Sequence, residues 1–274
     1  MITHPLITVP RDAFTAFLAR GGDMQAGYIA YSLLLAIFPF LIFCVSLTGW
    51  AIGDERSADA VGVLFEFAPR YLAEVLQPVL EEVLAHDHGL FTIFIVLAIW
   101  AAMRAVEAIN RAFDGIYGER DGSVWILRKS KALITVIVSA IAAVILGLCI
   151  LLAPSLIKFI EDFTNWDIPT NITFMRYAVG VVVFYVLMWT LHWFLPNHHA
   201  QGFPRWPGAL FSTITWLIMA TGLSFYLAYS GAYSVTYGAL AGIVITMLFL
   251  YFSGAIILFG AELNAAIARH KNGT

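Results

Sequence analysis

Long apolar stretches separated by short polar segments dominate the pattern along this chain. Six of them reach the roughly 20 residues that a helix needs to cross the hydrocarbon core of a bilayer. They cover about 28–52, 90–113, 132–157, 174–195, 208–229 and 238–266. The second is apolar up to Met103 and then continues as a helix with polar insertions. The longest polar interval, 53–89, is itself patterned. Leu64, Tyr71, Leu72, Val75, Leu76, Val79 and Val83 recur at helical spacing among eight acids, with Pro69 and Pro78 as break points. This predicts one or two amphipathic helices lying over the mouth of a bundle. Before the first span, Phe14, Phe17 and Leu18 fall on one helical face, which predicts a short interfacial helix. The expected architecture is an all-α integral membrane protein, a six-transmembrane-helix bundle forming one membrane domain over residues 1–274.

Composition narrows the class. The 274 residues are 61% hydrophobic and only 12% charged, against about 25% charged in an ordinary soluble domain. Mean hydropathy is +0.83. So few charges cannot cover a water-soluble body of this size, and there is no basic surface suited to nucleic acid. Cys44 and Cys149 both sit in apolar runs and offer neither a disulfide framework nor metal-ligand spacing. The first span begins too late and is too long for a cleavable signal peptide.

The distribution of Lys and Arg predicts orientation. Arg11 and Arg20 precede the first span. The interval 104–131 carries Arg104, Arg111, Arg120, Arg128, Lys129 and Lys131, and the tail carries Arg269 and Lys271. Alternate segments are rich and poor in cations. This places both termini and the 104–131 region on the cytoplasmic side of a bacterial inner membrane, and the acidic interval 53–89 outside.

Ionisable groups at membrane depth cost several kcal/mol by most scales and call for an explanation. Arg104, Glu107, Asn110, Arg111 and Asp114 form the densest set. Arg104 and Glu107 are i,i+3, and Glu107 and Arg111 are i,i+4, so these three can share a face. Arg104 is about 14 residues into its span, roughly 21 Å from the outer boundary and about 9 Å from the inner one. Two readings stand side by side: the cytoplasmic end of a helix that outlives the bilayer, or one wall of a polar cavity open to the cytoplasm. Glu262 lies at similar depth in the sixth span, followed by Asn264, and is expected to pair with Arg104 or Arg111. Such a pair serves either transport or simple locking of the bundle.

Milder features have structural readings. Pro39 predicts a kink or hinge in the first span. Gly238 and Gly242 form a G-x-x-x-G packing face. Tyr28, Tyr31 and Ser32 suit the inner interface. His86-Asp87-His88 has a metal-like look, but two histidines at i,i+2 do not share a helical face, and His198-His199 is a loop pair. No nucleophile elbow, zinc-protease motif or phosphate loop is present, so neither metal, cofactor nor enzymatic activity is expected.

Several stretches resemble the YihY/BrkB family of bacterial inner-membrane proteins. They are Ala30-Tyr31-Ser32-Leu33-Leu34 with Phe38-Pro39, Ala102-Met103-Arg104-Ala105-Val106, Ala108-Ile109-Asn110 and Ile116-Tyr117-Gly118. Phe194-Leu195-Pro196, Pro207-Gly208-Ala209, Ser224-Phe225-Tyr226, Tyr237-Gly238-Ala239-Leu240 and Phe259-Gly260-Ala261-Glu262-Leu263-Asn264 follow. Their order and spacing carry more weight than any one of them. Ala102 departs from the serine of the family pattern. The resemblance implies a six-span inner-membrane bundle and suggests transport or lipid handling. The ribonuclease label the family has carried finds no convergent catalytic groups here. Three functions are therefore weighed: a transporter, exporter or lipid flippase for an anionic or amphipathic substrate; a non-catalytic envelope scaffold binding partners through its acidic loop; and a membrane enzyme. The partners to consider are membrane lipids, an anionic lipid or small molecule, and a second copy of the chain, with no nucleic acid.

Overall fold

The computed structural model describes residues 5–52, 89–118, 125–147, 171–196, 204–229 and 239–272. Among these, every regular element is an α-helix: α1 Pro5–Ala19, α2 Gly22–Ile52, α3 Gly89–Tyr117, α4 Trp125–Gly147, α5 Asn171–Phe194, α6 Trp206–Tyr229 and α7 Ala239–Asn272. The acidic interval 53–88, the histidine pairs, Cys149 and Gly238 lie outside the described residues. So does the last part of the expected third span.

Helix limits follow local chemistry. Pro5 opens α1 and Pro207 sits in the first turn of α6, where a missing N–H forfeits no intrahelical bond. Gly21, at φ +67°, turns the chain between α1 and α2, and Gly118, at φ +76°, closes α3. Both are left-handed positions that cost glycine nothing. Pro196 follows the end of α5 and forbids its continuation. The last turn of α7 carries Arg269, His270 and Lys271, cations that complement the negative end of the helix dipole. α2 stays helical through residue 39.

The burial pattern is that of a protein whose solvent is apolar. Val182, Val186, Trp189 and Trp193 on α5 form an exposed stripe, as do Ile214, Ile218 and Phe225 on α6, and Val244, Leu248 and Phe252 on α7. Buried positions hold many alanines and several polar groups beside larger apolar residues such as Ile29, Phe113, Leu195 and Leu258. Apolar stripes of this extent would be aggregation surfaces in water and are ordinary against lipid. Among the described residues, Trp206–Leu227 and Gly242–Lys271 are long and apolar enough to cross a membrane. Only 11% and 28% of the residues in their most apolar windows are buried, too little for the core helices of a soluble globule.

Two compact units divide the chain. The first holds 1–20, 110–216 and 256–274; the second holds 21–109 and 217–255. In the second unit the buried faces are lined with small residues, Ala26 and Ala30 on α2 and Ala101 and Ala105 on α3. Gly254 of α7 lies against Ala26 and Ile29 of α2. Small residues let helix backbones approach closely where lipid removes any hydrophobic gain from association. In the first unit α4 packs on α5. There α1 lies along the end of α7, with Phe17 against Phe259 at 6.1 Å between ring centroids and Asp12 meeting His270 at 2.7 Å. The interfacial face expected for α1 is divided: Phe17 is buried by α7, whereas Phe14 and Leu18 remain exposed.

Candidate functional site: a buried polar cluster at helix ends

The first unit gathers polar side chains where helices begin and end. The last described residues of α5 leave carbonyl groups without intrahelical partners. Three side chains from elsewhere donate to this region. Asn110 Nδ2 donates to the Leu195 carbonyl at 3.0 Å, Arg205 Nη1 to that of Trp193 at 2.8 Å, and Lys131 Nζ to that of Pro196 at 3.5 Å. The start of α6 is served the same way from α7. Asn264 is fully buried; its Oδ1 accepts from the Gly208 N–H at 2.7 Å and its Nδ2 donates to the Arg205 carbonyl at 3.2 Å. One amide thus accepts from the Gly208 N–H, which a helix start leaves without an intrahelical partner, and adds a second donor to the Arg205 carbonyl, which already accepts from the Ala209 N–H.

This arrangement needs close approach of α6 and α7, and two glycines provide it. A Cβ on Gly208 would overlap the Gly260 carbonyl oxygen and the Asn264 amide. A Cβ on Gly260 would overlap the Ser212 hydroxyl and the Gly208 carbonyl. Beside them, Ser212 donates to the Ile256 carbonyl at 3.1 Å. His192, also fully buried, donates through Nδ1 to the Met188 carbonyl at 2.8 Å, with Phe113 at 5.3 Å and its Nε2 against Gly260.

Glu262 is 1% exposed, and the structure gives it a different partner from the one expected. Both its oxygens accept from Nη1 of Arg20 at 2.6 Å, rather than from Arg104 or Arg111. The physical reason is that α1 folds back along α7 and brings the residue after its last turn to the carboxylate. A buried carboxylate demands a cation with good geometry, and Arg20 supplies it across 242 residues of sequence.

The other predicted residues are dispersed. Arg104 and Arg111 are exposed, whereas Glu107 and Asn110 are buried, so the expected single charged face is not one environment. In the second unit the Arg104 guanidinium lies over the Trp100 ring at 5.5 Å, a cation–π contact available to an arginine at an apolar surface. Gly242 is buried on α7, and residue 39 lies in helix. Arg20, His192 and Ser212 were not singled out as site residues, nor was the Gly208–Gly260 contact. The glycines stood in the family-like motifs, but nothing in one sequence says that two such glycines face each other.

Helices of this length, apolar outside and polar where they meet, are those of a helical integral membrane protein. The chain belongs to the Virulence factor BrkB family, which matches residues 13–274. It is similar to the ribonuclease-like protein YfkH of Bacillus subtilis, with 29% identity over 95% of each chain. It also resembles UPF0761 membrane proteins of Alteromonas mediterranea (24% identity, 94% of this chain and 88% of the relative) and Pseudoalteromonas atlantica (22%, 90% and 81%). No solved structure matches the chain.

Four of the stretches carrying the resemblance meet in the cluster. Ala108-Ile109-Asn110 reaches Phe194-Leu195-Pro196 through the Asn110 amide, and Pro207-Gly208-Ala209 reaches Phe259–Asn264 through Asn264 and the paired glycines.

Proposed function

We propose that the chain is a six-span protein of the bacterial inner membrane, with both termini cytoplasmic, that exports or flips an anionic or amphipathic substrate. Arg104 carries the reading. It is exposed among the lipid-facing residues Val96, Leu97, Ile99 and Trp100, in a region where a bare guanidinium is costly. A phosphate or carboxylate of an amphipath offsets that cost. Glu107, buried one turn further along, supplies the opposing charge that keeps the anion from binding too tightly. The test is reconstitution into vesicles with a fluorescent anionic phospholipid, reading its transfer between leaflets. Removing one charge-assisted contact costs about 1.5–3 kcal/mol, or about tenfold or more in rate. Arg104→Ala is therefore expected to slow transfer by that factor, with normal insertion and partial recovery in Arg104→Lys. Equal rates in Arg104→Ala and wild type overturn the reading. Reporter fusions at both ends test the orientation.

A second reading, a non-catalytic envelope scaffold, draws support from the cluster, where Asn110, Glu262 and Asn264 are all engaged in joining helices. On that reading, exchanging residues 53–89 for a neutral linker removes function and Arg104→Ala does not. Neither reading includes catalysis. Metal-dependent RNA cleavage by the purified protein, lost with one side chain, contradicts both.

A further inference from the structure

The corner where α1 lies along the end of α7 carries more cations than acids, and its acids are already engaged. The acid of α1, Asp12, is held by His270, and the acid of α7, Glu262, is held by Arg20. Arg11 and Lys271 are exposed and Arg269 is half-buried. Among the described residues none of these three cations meets an acid. α1 also turns an apolar surface away from α7. Ala13 and Phe17 are buried, whereas Phe14 is 53% and Leu18 52% exposed. Arg11, Phe14 and Leu18 stand at i, i+3 and i+7 and share one face of the helix. Beside them Thr15 donates its hydroxyl back to the Arg11 and Asp12 carbonyls at 3.0 and 3.1 Å, so it asks for no outside partner. Depth is set by Phe17, which meets Phe259 about 20 residues into α7, roughly 30 Å along its axis. That distance is about the thickness of a hydrocarbon core. Phe14 and Leu18, each within one turn of Phe17, therefore stand at headgroup depth.

We propose that the Arg11, Phe14 and Leu18 face of α1 docks on anionic phospholipid of the leaflet beside it. Phe14 and Leu18 enter the boundary between headgroups and acyl chains, Arg11 meets lipid phosphates, and Arg269 and Lys271 add to the attraction. Charge and depth together choose this occupant. Two large apolar side chains beside a cation make the face of an interfacial helix, and cations close to a membrane surface attract anionic lipid. The acids of the two helices sit in pairs of their own, Asp12 with His270 and Glu262 with Arg20. The same two pairs hold α1 against α7 and keep the docking face turned outward. This goes beyond an interfacial helix read from spacing alone, because it gives Phe17 to the protein and names the lipid charge that Arg11 selects. The surface is separate from Arg104 and concerns binding alone, so it stands or falls independently of transport.

The experiment places the full chain in nanodiscs of phosphatidylglycerol or phosphatidylcholine with identical acyl chains. Backbone hydrogen exchange across residues 8–18 is followed by mass spectrometry. One surface cation favours anionic lipid by about fivefold. Exchange in the wild type is therefore expected to be slower in phosphatidylglycerol by about fivefold or more. Arg11→Gln lowers that ratio by about fivefold. Salt at about 1 M, where the screening length is about 3 Å, lowers it in the wild type, so that no variant need fold. A photoreactive benzoylphenylalanine in place of Leu18 is expected to cross-link to lipid. Equal exchange of the wild type in the two lipids overturns the proposal. So does a ratio unchanged in Arg11→Gln, cross-linking from position 18 to a second copy of the chain in place of lipid, or soluble glycerol phosphate that slows exchange in phosphatidylcholine as much as phosphatidylglycerol does.

Discussion

Replacing Gly208 with alanine adds one methyl group at the point where α6 and α7 touch. Its Cβ would overlap the backbone carbonyl oxygen of Gly260 and the amide of Asn264. A backbone oxygen cannot swing aside as the tip of a side chain can, so the helices must separate. Overpacking of this kind costs about 1–3 kcal/mol. Separation also stretches two hydrogen bonds, the buried one from Gly208 N–H to Asn264 Oδ1 at 2.7 Å and the part-buried one from Asn264 Nδ2 to the Arg205 carbonyl at 3.2 Å. Each is worth about 0.5–1.5 kcal/mol net, more if a buried group is left unsatisfied. The total is about 3–5 kcal/mol. At roughly 2–4 °C per kcal/mol for a chain of comparable size, the apparent melting temperature in detergent should fall by about 6–20 °C. Gly222→Ala is the matched control: it lies in the same helix, and a Cβ there meets nothing within 4 Å. It should be neutral or stabilising by about 0.5–1 kcal/mol, the helical cost of glycine relative to alanine. A Gly208→Ala protein that melts with the Gly222→Ala protein would refute the reasoning.

Three further outcomes follow from the same contacts. Asn110→Leu keeps bulk but leaves the Leu195 carbonyl without its donor; it should lower stability by about 1–3 kcal/mol, read as a lower midpoint in chemical unfolding. Asp12→Asn removes the charge from an exposed pair with His270; exposed pairs contribute about 0–1 kcal/mol, so the midpoint should barely move. Ser212→Ala loses a buried hydrogen bond whose acceptor, the Ile256 carbonyl, lies inside α7 and keeps its intrahelical partner; its cost should stay below that of Asn110→Leu in the same titration.

Much of this architecture could be read from the chain. Long apolar runs declare helices, and their scarcity of charge declares the bilayer. The starts of α1 and α6 and the turn between α1 and α2 were not among those readings, although Pro5, Pro207 and Gly21 stand there. Glu262 and Asn264 stood out because a carboxylate and an amide are costly in an apolar run. Their partners did not stand out. Arg20 looked like one of several cations flanking the first span, and its role depends on α1 turning back along α7, which no local pattern records. Arg104, Glu107 and Arg111 satisfied helical spacing, yet spacing says only which side chains share a face and not which neighbour covers them. Glu107 is covered and the two arginines are not. Gly208 and Gly260 carried no separate signal because a glycine's value lies in what approaches it. The carbonyls at the end of α5 are backbone groups, invisible to any reading of side chains.

The pairing of Glu262 with Arg20 is the contact on which this description of the cluster rests. A charge-exchange cycle measures it most directly, using Arg20→Glu, Glu262→Arg and the double variant, with unfolding midpoints in one detergent. Breaking a buried pair costs about 3–5 kcal/mol, less here because Arg20 is 37% exposed. The account predicts that each single change lowers stability by roughly 2–4 kcal/mol and that the double variant recovers at least half of the summed loss. A double variant as damaged as the two single changes added together would contradict it.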